Sequence, residues 1–325
     1  MPSIDESQIK SIVSAGKDAS AARDLRRKYS RLREVARFQR SPMAANRHAV
    51  QNLVRSFLAK AGFETDSFEQ LRAKHHTELA HFVEEQKADA TKRAASMKNG
   101  LRNSIETWHT GIERLPNSGP PRGNAGPPPQ YVFLNSPTVI WSTPGVLLQS
   151  SHVEPWKSWA KFTAHSTESY SLEQLSFFFY WENPSDRYAV IDVDTYLVLN
   201  GFCLAGSDGG FFPGDRRSNL SVQARLYLYE LWNEPPTPPG WENEVALSLS
   251  TSTGDFWDVG AIEFEEIFRT LNVSLNTRAV PPHGMALFEA TTALESQVSD
   301  GVTDVDFASG DFEVLCPGVV LTLLT

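Results

Sequence analysis

Two hydrophobic periodicities follow one another along this sequence. Up to residue 115, apolar side chains recur every three or four positions, which predicts amphipathic helices. From residue 130 onward they alternate with polar side chains or form short continuous runs, which predicts β-strands. The pattern therefore predicts an N-terminal helical arm of three to five helices, one of them long, followed by a β-rich head.

Turn and cap residues set the limits of the predicted helices. Ser41-Pro42 and Gly62 interrupt the helical pattern, and Asn99-Gly100 predicts either a C-cap or a kink. Helices are expected after Ser3, over 19–39, over 44–60, and from Asp66 or Ser67 to residue 99.

A narrow apolar stripe follows Gly100. Its members, spaced by four and three residues, are Leu101, Ile105, Trp108, Ile112 and Leu115. This is a heptad-like spacing over two repeats, typical of a coiled-coil seam. A stripe this narrow needs a partner helix, either from the same arm or from a neighbouring subunit. The sequence thus predicts a homo-oligomer that associates through the helical arm.

The C-terminal part reads as roughly ten to twelve strands separated by turn residues. The expected strands are 131–141, 146–150, 158–165, 175–182, 188–200, 220–231, 245–250, 272–277, 286–294, 303–308, 312–315 and 319–324. Gly201 and residues 206–210 are interpreted as breaks, and 261–269 fits a short helix or a strand. Because alternating βαβ units are absent, the expected class is an antiparallel β-sandwich or jelly roll.

The two parts meet at a segment rich in proline and glycine. Residues 116–129 contain six Pro and three Gly among fourteen residues, a composition that favours extended polyproline II and a semi-rigid spacer. The expected organisation is an arm over 1–115, a linker over 116–129 and a head over 130–325. The spacer would hold the head away from an assembling stalk. The alternative is a fold-back that docks the arm on its own head.

Charge divides at the same place. Residues 1–122 hold 22 Lys and Arg against 14 Asp and Glu, a net of +8, whereas 123–325 hold 8 against 25, a net of −17. A basic arm and an acidic head can attract each other, or the arm can bind an anionic partner. The candidate anion-binding residues are Arg23, Arg26, Arg27, Lys28, Arg31 and Arg33. A docking face for acidic protein is favoured there over nucleic acid, and over anionic lipid.

Several features bear on location and covalent state. Residues 1–10 lack the apolar run of a signal peptide, and no stretch reaches the ~18 apolar residues of a membrane span. The expectation is a soluble cytoplasmic protein, with release or assembly into a particle as alternatives. Cys203 and Cys316 are read as two small buried hydrophobic residues, with one disulfide as the alternative.

No arrangement of residues points to catalysis. Glu78 with His81 and Glu106 with His109 share the E-x-x-H spacing of di-iron helices but are interpreted as surface residues. The head lacks G-x-S-x-G, and its three histidines have no metal-ligand spacing. Acidic pairs such as Asp192 with Asp194 are assigned to a solvated face. The expectation is a protein that is not an enzyme and uses no metal or cofactor.

Three tryptophans in or beside loops are the candidate ligand-binding residues: Trp232, Trp241 and Trp257. Aromatic rings in such loops can stack on sugars or anchor a protein interface. The first functional hypothesis is a self-assembling capsid, fibre or spike subunit with an outward head. The second is a module that binds a glycan or receptor through these tryptophans. A membrane-inserting toxin is third, and a glycoside hydrolase fourth.

Overall fold

The computed structural model describes residues 65–113, 130–210, 216–233, 240–253 and 258–324. These ranges contain one helix, α1 (Thr65–Glu113), followed by strands. The strands are β1 (Gln130–Leu134), β2 (Val139–Ser142), β3 (Val146–His152), β4 (Ser158–Ser166), β5 (Ser171–Glu182), β6 (Ala189–Gly210), β7 (Arg216–Glu230), β8 (Gly240–Thr253), β9 (Asp258–Val280), β10 (Met285–Ser299), β11 (Gly301–Phe307) and β12 (Glu313–Leu324).

The strands form two antiparallel sheets that enclose one core. The seven-stranded sheet contains β1, β3, β4, β6, β9, β11 and β12, and the five-stranded sheet has the order β2-β5-β10-β7-β8. Apolar residues that alternate along strands of both sheets belong to a single buried cluster, for example Leu226 of β7 and Leu199 of β6. The predicted antiparallel β-sandwich is confirmed. From β4 to β11, the orders β4-β11-β6-β9 and β5-β10-β7-β8 are those of a jelly roll.

Strands β11 and β12 lie end to end alongside β6. Asp306 of β11 pairs with Phe202, and Glu313 at the start of β12 pairs with Asn200, so the intervening residues leave the sheet as a short loop. The Asp306 carboxylate accepts hydrogen bonds from the backbone N–H groups of Ala308 and Ser309 and from the Ser309 hydroxyl. This loop holds the acidic side chain of Asp306 on the outer face of the seven-stranded sheet.

Helix α1 packs on that outer face. Its buried residues Val83, Ala90 and Ala94 share one side of the helix and form a cluster with Phe202 and Phe312. Around this contact, Lys87 pairs with Asp306, Arg93 with Glu266, and Lys98 with Asp311 and Glu313. For residues 82–98 the arm therefore lies on its own head, which is the fold-back alternative and not a stalk that holds the head away.

Two parts of the helical prediction can be compared with the structure. Among the described residues one helix is present, so three to five helices are not supported, and the helices predicted before residue 65 lie outside that part of the chain. The C-cap alternative at Asn99-Gly100 is wrong, since α1 continues to Glu113. A single glycine inside a helix costs only about 1 kcal/mol relative to alanine, and the rest of the helix outweighs it.

Glycine and proline were also misread within the sheets. β6 runs through Gly201 and Gly206 to Gly210, and β12 runs through Pro317 with a register shift between Leu315 and Gly318. Gly201 is required because a Cβ there would lie 2.3 Å from the Phe307 ring of β11. The undecided segment 261–269 is part of β9.

Candidate functional site

The outer face of the five-stranded sheet carries most of its aromatic side chains. Phe177 and Phe179 of β5 point into the core, so Phe178 between them points outward. The same alternation places a second buried cluster on this outer face: Val139, Trp141, Phe178, Tyr227, Tyr229 and Leu287. Strand pairing thus collects rings that are distant in the sequence on one surface.

Two adjacent rows of side chains cross all five strands in register. The first row contains Val139, Phe178, Glu289, Tyr227 and Trp241. The second contains Trp141, Ser176, Thr291, Arg225 and Asn243. At ~4.8 Å between neighbouring strands, each row is about 19 Å long. Of these ten residues only Trp241 and Asn243 are exposed, so a ligand can reach the two rows only at their β8 end.

Trp241 forms the exposed end of the first row. Its ring is stacked on Tyr227 with 6.1 Å between ring centres, and Tyr227 is stacked on Tyr229 at 6.4 Å. Although this contact covers part of the ring, the Trp241 side chain remains 42% exposed. We call Trp241, Tyr227, Tyr229 and the adjacent Arg225 and Gln223 the Trp241 platform.

Arg225 contacts the Trp241 ring and is itself held by neighbouring polar groups. Its guanidinium carbon lies 5.8 Å from the centre of the Trp241 ring, within range of a cation–π contact. Its Nε and Nη2 atoms donate to Gln223 Oε1 at 3.1 and 2.9 Å, and Nη1 donates to the Tyr227 hydroxyl at 3.4 Å. Nη2 also lies 3.6 Å from the Glu295 carboxylate. The ring of Trp241 is consequently held in one orientation.

Polar groups surround the platform. The exposed Asn243 donates from its carboxamide to Gln223 Oε1, and Gln223 donates to the Ser221 hydroxyl. In the first row, the carboxylate of Glu289 accepts from the hydroxyls of Tyr229 and Ser176 at 2.5 and 2.6 Å. Glu289 is 0% exposed, so its carboxylate orients the neighbouring hydroxyl groups and is not accessible to solvent.

The three tryptophans named from the sequence have different positions. Trp241 lies on the platform, in β8 and not in the predicted loop over 233–243. Trp232 is partly buried against the main core. Trp257 lies outside the described residues. Sequence reasoning missed Tyr227 and Arg225 as site residues, although their alternation with the core residues of β7 already put them on one face.

The other predicted sites are only partly within the described chain. Leu101, Ile105, Trp108 and Ile112 lie on α1, but their side chains and Leu115 are outside the description, so association through them stays a prediction. The arginine-rich set from Arg23 to Arg33 and the linker over 116–129 are outside it as well. Their anionic partner and spacer roles stay predictions.

The described residues contain neither a cluster of metal ligands nor a helix that could cross a membrane. No three His, Cys, Asp or Glu side chains in this part of the chain come together as metal ligands. Glu78 pairs with Lys74, and His81 lies near Glu85, both on exposed parts of α1. Within the same ranges, no helix has both the length and the apolar character needed to cross a membrane.

Comparisons with known proteins give no family. No protein-family model matches the sequence, and no curated protein matches it either. Among solved structures, a carbohydrate-binding module with specific mannan recognition is 13% identical, covering 60% of this chain and 96% of that chain at a TM-score of 0.23. A xylan-binding domain from Paenibacillus barcinonensis is 11% identical, with 60% and 96% coverage and a TM-score of 0.22.

The enzymatically active domain of tailspike protein 4 from bacteriophage CBA120 is 6% identical, with 60% of this chain and 19% of that chain covered and a TM-score of 0.21. TM-scores at this level carry no argument about function. A functional assignment has to come from the geometry of the outer face.

Proposed function

We propose that this protein binds a saccharide at the exposed β8 end of the outer face of its five-stranded sheet, with Trp241 as the stacking residue. The observation that carries the proposal is a large flat ring that stays exposed although Tyr227 and Arg225 hold it in place. An exposed ring of this kind offers an apolar surface for the face of a sugar ring. Because its orientation is already set, little conformational entropy is lost on binding.

The polar neighbours support a saccharide over a purely apolar ligand. Asn243 is exposed beside the ring, and its carboxamide has both donor and acceptor capacity for sugar hydroxyls. Ser221 and Gln223 continue this polar strip along β7. An aromatic ring next to amides and hydroxyls matches the two-sided chemistry of a sugar.

The proposal assigns binding and not hydrolysis. A glycosidase needs two carboxyl groups about 5–9.5 Å apart that both reach the substrate. Glu289 and Glu295 are six residues apart on β10, about 20 Å along the strand. Glu289 is also buried under its hydroxyl partners, and Glu295 is engaged by Arg225 and Tyr170. We therefore propose a non-enzymatic role.

The test is a glycan array with the full chain, followed by calorimetric titration of the best oligosaccharide. Trp241→Ala is expected to weaken binding at least about thirtyfold, as for a residue at the centre of an interface. Trp241→Phe, which keeps a ring, should lose less. Tyr188→Ala is the matched control, because Tyr188 is 70% exposed in the turn before β6, a strand of the other sheet.

Circular dichroism and thermal unfolding would verify that each variant is folded. A folded wild-type protein that binds no glycan, or a Trp241→Ala variant that binds as tightly as the wild type, would contradict the proposal.

A further inference from the structure

The Arg225 guanidinium lies 5.8 Å from the centre of the Trp241 ring, and its charge is already compensated. Resting on the saccharide-binding function proposed above, we infer that the ligand is an uncharged saccharide and that Arg225 positions Trp241 without pairing with ligand charge. Guanidinium groups normally recognise carboxylate or phosphate through two parallel donors. Here those donors point at groups of the protein itself.

Every nitrogen of the Arg225 guanidinium has a partner within the chain. Nε and Nη2 bind Gln223, Nη1 binds Tyr227, and Nη2 also faces Glu295. The residue is only 5% exposed. A ligand carboxylate or sulfate would have to displace Glu295 or Gln223 to reach it, and would leave a partly buried carboxylate without its counterion.

The carboxylates of the face make an anionic ligand more costly still. Glu289 lies in the row next to Arg225, and Glu295 lies beyond it on the same strand. An added negative charge on the platform would approach both at low local dielectric. Sugar hydroxyls carry no such cost and can pair with the exposed Asn243 amide. The charge pattern of the platform thus selects neutral saccharides.

The test compares oligosaccharides that differ only in charge. Oligomers of glucose, mannose and galactose are titrated into the full chain beside their uronate counterparts, in which C6 is a carboxylate, at low and high salt. The expected result is at least about tenfold tighter binding of the neutral member, with little dependence on salt. Equal or tighter binding of the uronates, weakened by salt, would overturn the inference and leave the saccharide-binding function intact. Binding of neither class would overturn the proposed function itself.

A second variant tests the role of the Arg225 pairing. Glu295→Gln removes the carboxylate partner, so an anionic ligand gains a cation and loses a repulsive charge. The neutral-to-uronate preference is expected to fall at least threefold. Glu182→Gln is the matched control, since Glu182 is a carboxylate of the same sheet that bonds to Tyr180 and has no contact with Arg225. An unchanged preference in Glu295→Gln would contradict the assigned role of Arg225.

The positioning role has its own signature. The near-ultraviolet circular dichroism of Trp241, obtained as the difference between the wild type and Trp241→Phe, reports how firmly the ring is held. Arg225→Gln is expected to reduce this difference signal and to weaken neutral-oligosaccharide binding together. A lost affinity with an unchanged Trp241 signal would show that Arg225 contacts the ligand directly, and would overturn the positioning role.

Discussion

Lys87 and Lys98 supply positive charge where carboxylates of the head are buried. The Asp306 side chain is 4% exposed and lies 2.5 Å from the Lys87 ammonium, and the Glu313 side chain is 5% exposed and lies 3.0 Å from that of Lys98. Removing one member of a buried pair leaves an uncompensated charge and costs more than an exposed pair contributes. Arg93 with Glu266 is more exposed and is worth less.

The environments of two neighbouring aspartates shift their pKa values in opposite directions. Burial favours the neutral form of Asp306, but hydrogen bonds from Lys87, Ser309 and the backbone outweigh it and lower the pKa below the usual 3.8. At Asp304, burial is the dominant effect and raises the pKa, although Lys87 and His165 oppose it. Ionised Asp306 therefore stabilises the fold, whereas ionised Asp304 costs stability.

Asp306→Asn is expected to change how the free energy of unfolding depends on pH in the acidic range. Because the folded pKa of Asp306 lies below its unfolded value, its stabilisation is complete above pH ~4 and is lost as pH falls through the folded pKa. The variant should be about 1–3 kcal/mol less stable than the wild type at pH 7, and this gap should close towards pH 2. Denaturant unfolding at several pH values measures it.

Asp304→Asn is the control for that experiment. A raised folded pKa gives stability that is present below the unfolded pKa and is lost as pH rises through the folded value, so this change should act in the opposite sense. A gap between wild type and Asp306→Asn that stays constant from pH 7 to pH 2 would contradict the assignment.

At the scale of elements, small residues let α1 approach the seven-stranded sheet closely. Ala90 and Ala94 are fully buried under the helix. In the loop before β12, Gly310 has a φ of 57°, and a Cβ there would lie 2.3 Å from Thr91 Cγ2. The small Ala90 and Ala94 thus leave room for Phe312, and Gly310 leaves room for Thr91.

Ala90→Leu should lift this part of the helix from the sheet. A larger side chain at a fully packed position costs about 1–3 kcal/mol. We expect faster amide hydrogen exchange over residues 82–98 and lower overall stability. Ala88→Leu is the matched control, since Ala88 is exposed two residues away and leucine has nearly the helix propensity of alanine. Equal exchange in both variants would argue against a docked helix.

At the scale of the whole molecule, some of the positive charge of the N-terminal part pairs with negative charge of the C-terminal part within the same chain. The basic stretch of α1 lies on acidic residues of β9, β11 and β12, and apolar contacts with Phe202, Phe264 and Phe312 accompany the ion pairs. Electrostatic attraction orients the two parts, and burial of the apolar contacts supplies most of the stability. The intramolecular arrangement is the one present for this stretch.

The reactivity of the two cysteine thiols can be used to follow unfolding of the whole sandwich. Cys203 and Cys316 are free, and both belong to the main core. Burial raises the pKa of the Cys316 thiol to about 12, and burial raises the pKa of Cys203 as well. A thiolate reagent should therefore leave both unmodified in the native protein and react at the rate of global unfolding.

This is measured by following thiol modification against denaturant concentration beside circular dichroism. The two transitions should coincide. Modification of either cysteine well before the unfolding transition would show that the seven-stranded sheet opens locally.

The sequence by itself determined that the chain after residue 130 is built of strands and which residues of one strand share a face, because a period of two is a local property of the chain. It identified the alternation of β7, including Tyr227 and Arg225, and it identified Trp241 as a candidate. It also separated a basic helical part from an acidic β part. The confirmed sandwich follows from these local signals.

Only the tertiary structure decided what those faces meet. Gly201 is interpreted locally as a break, but β6 continues through it, and glycine is required there because a Cβ would lie 2.3 Å from the Phe307 ring of β11. The pairing of Tyr227 with Trp241, the compensation of Arg225 by Glu295, and the docking of α1 over Asp306 are contacts between distant segments. Long-range packing fixes them, whereas local periodicity sets only which side chains of one strand share a face.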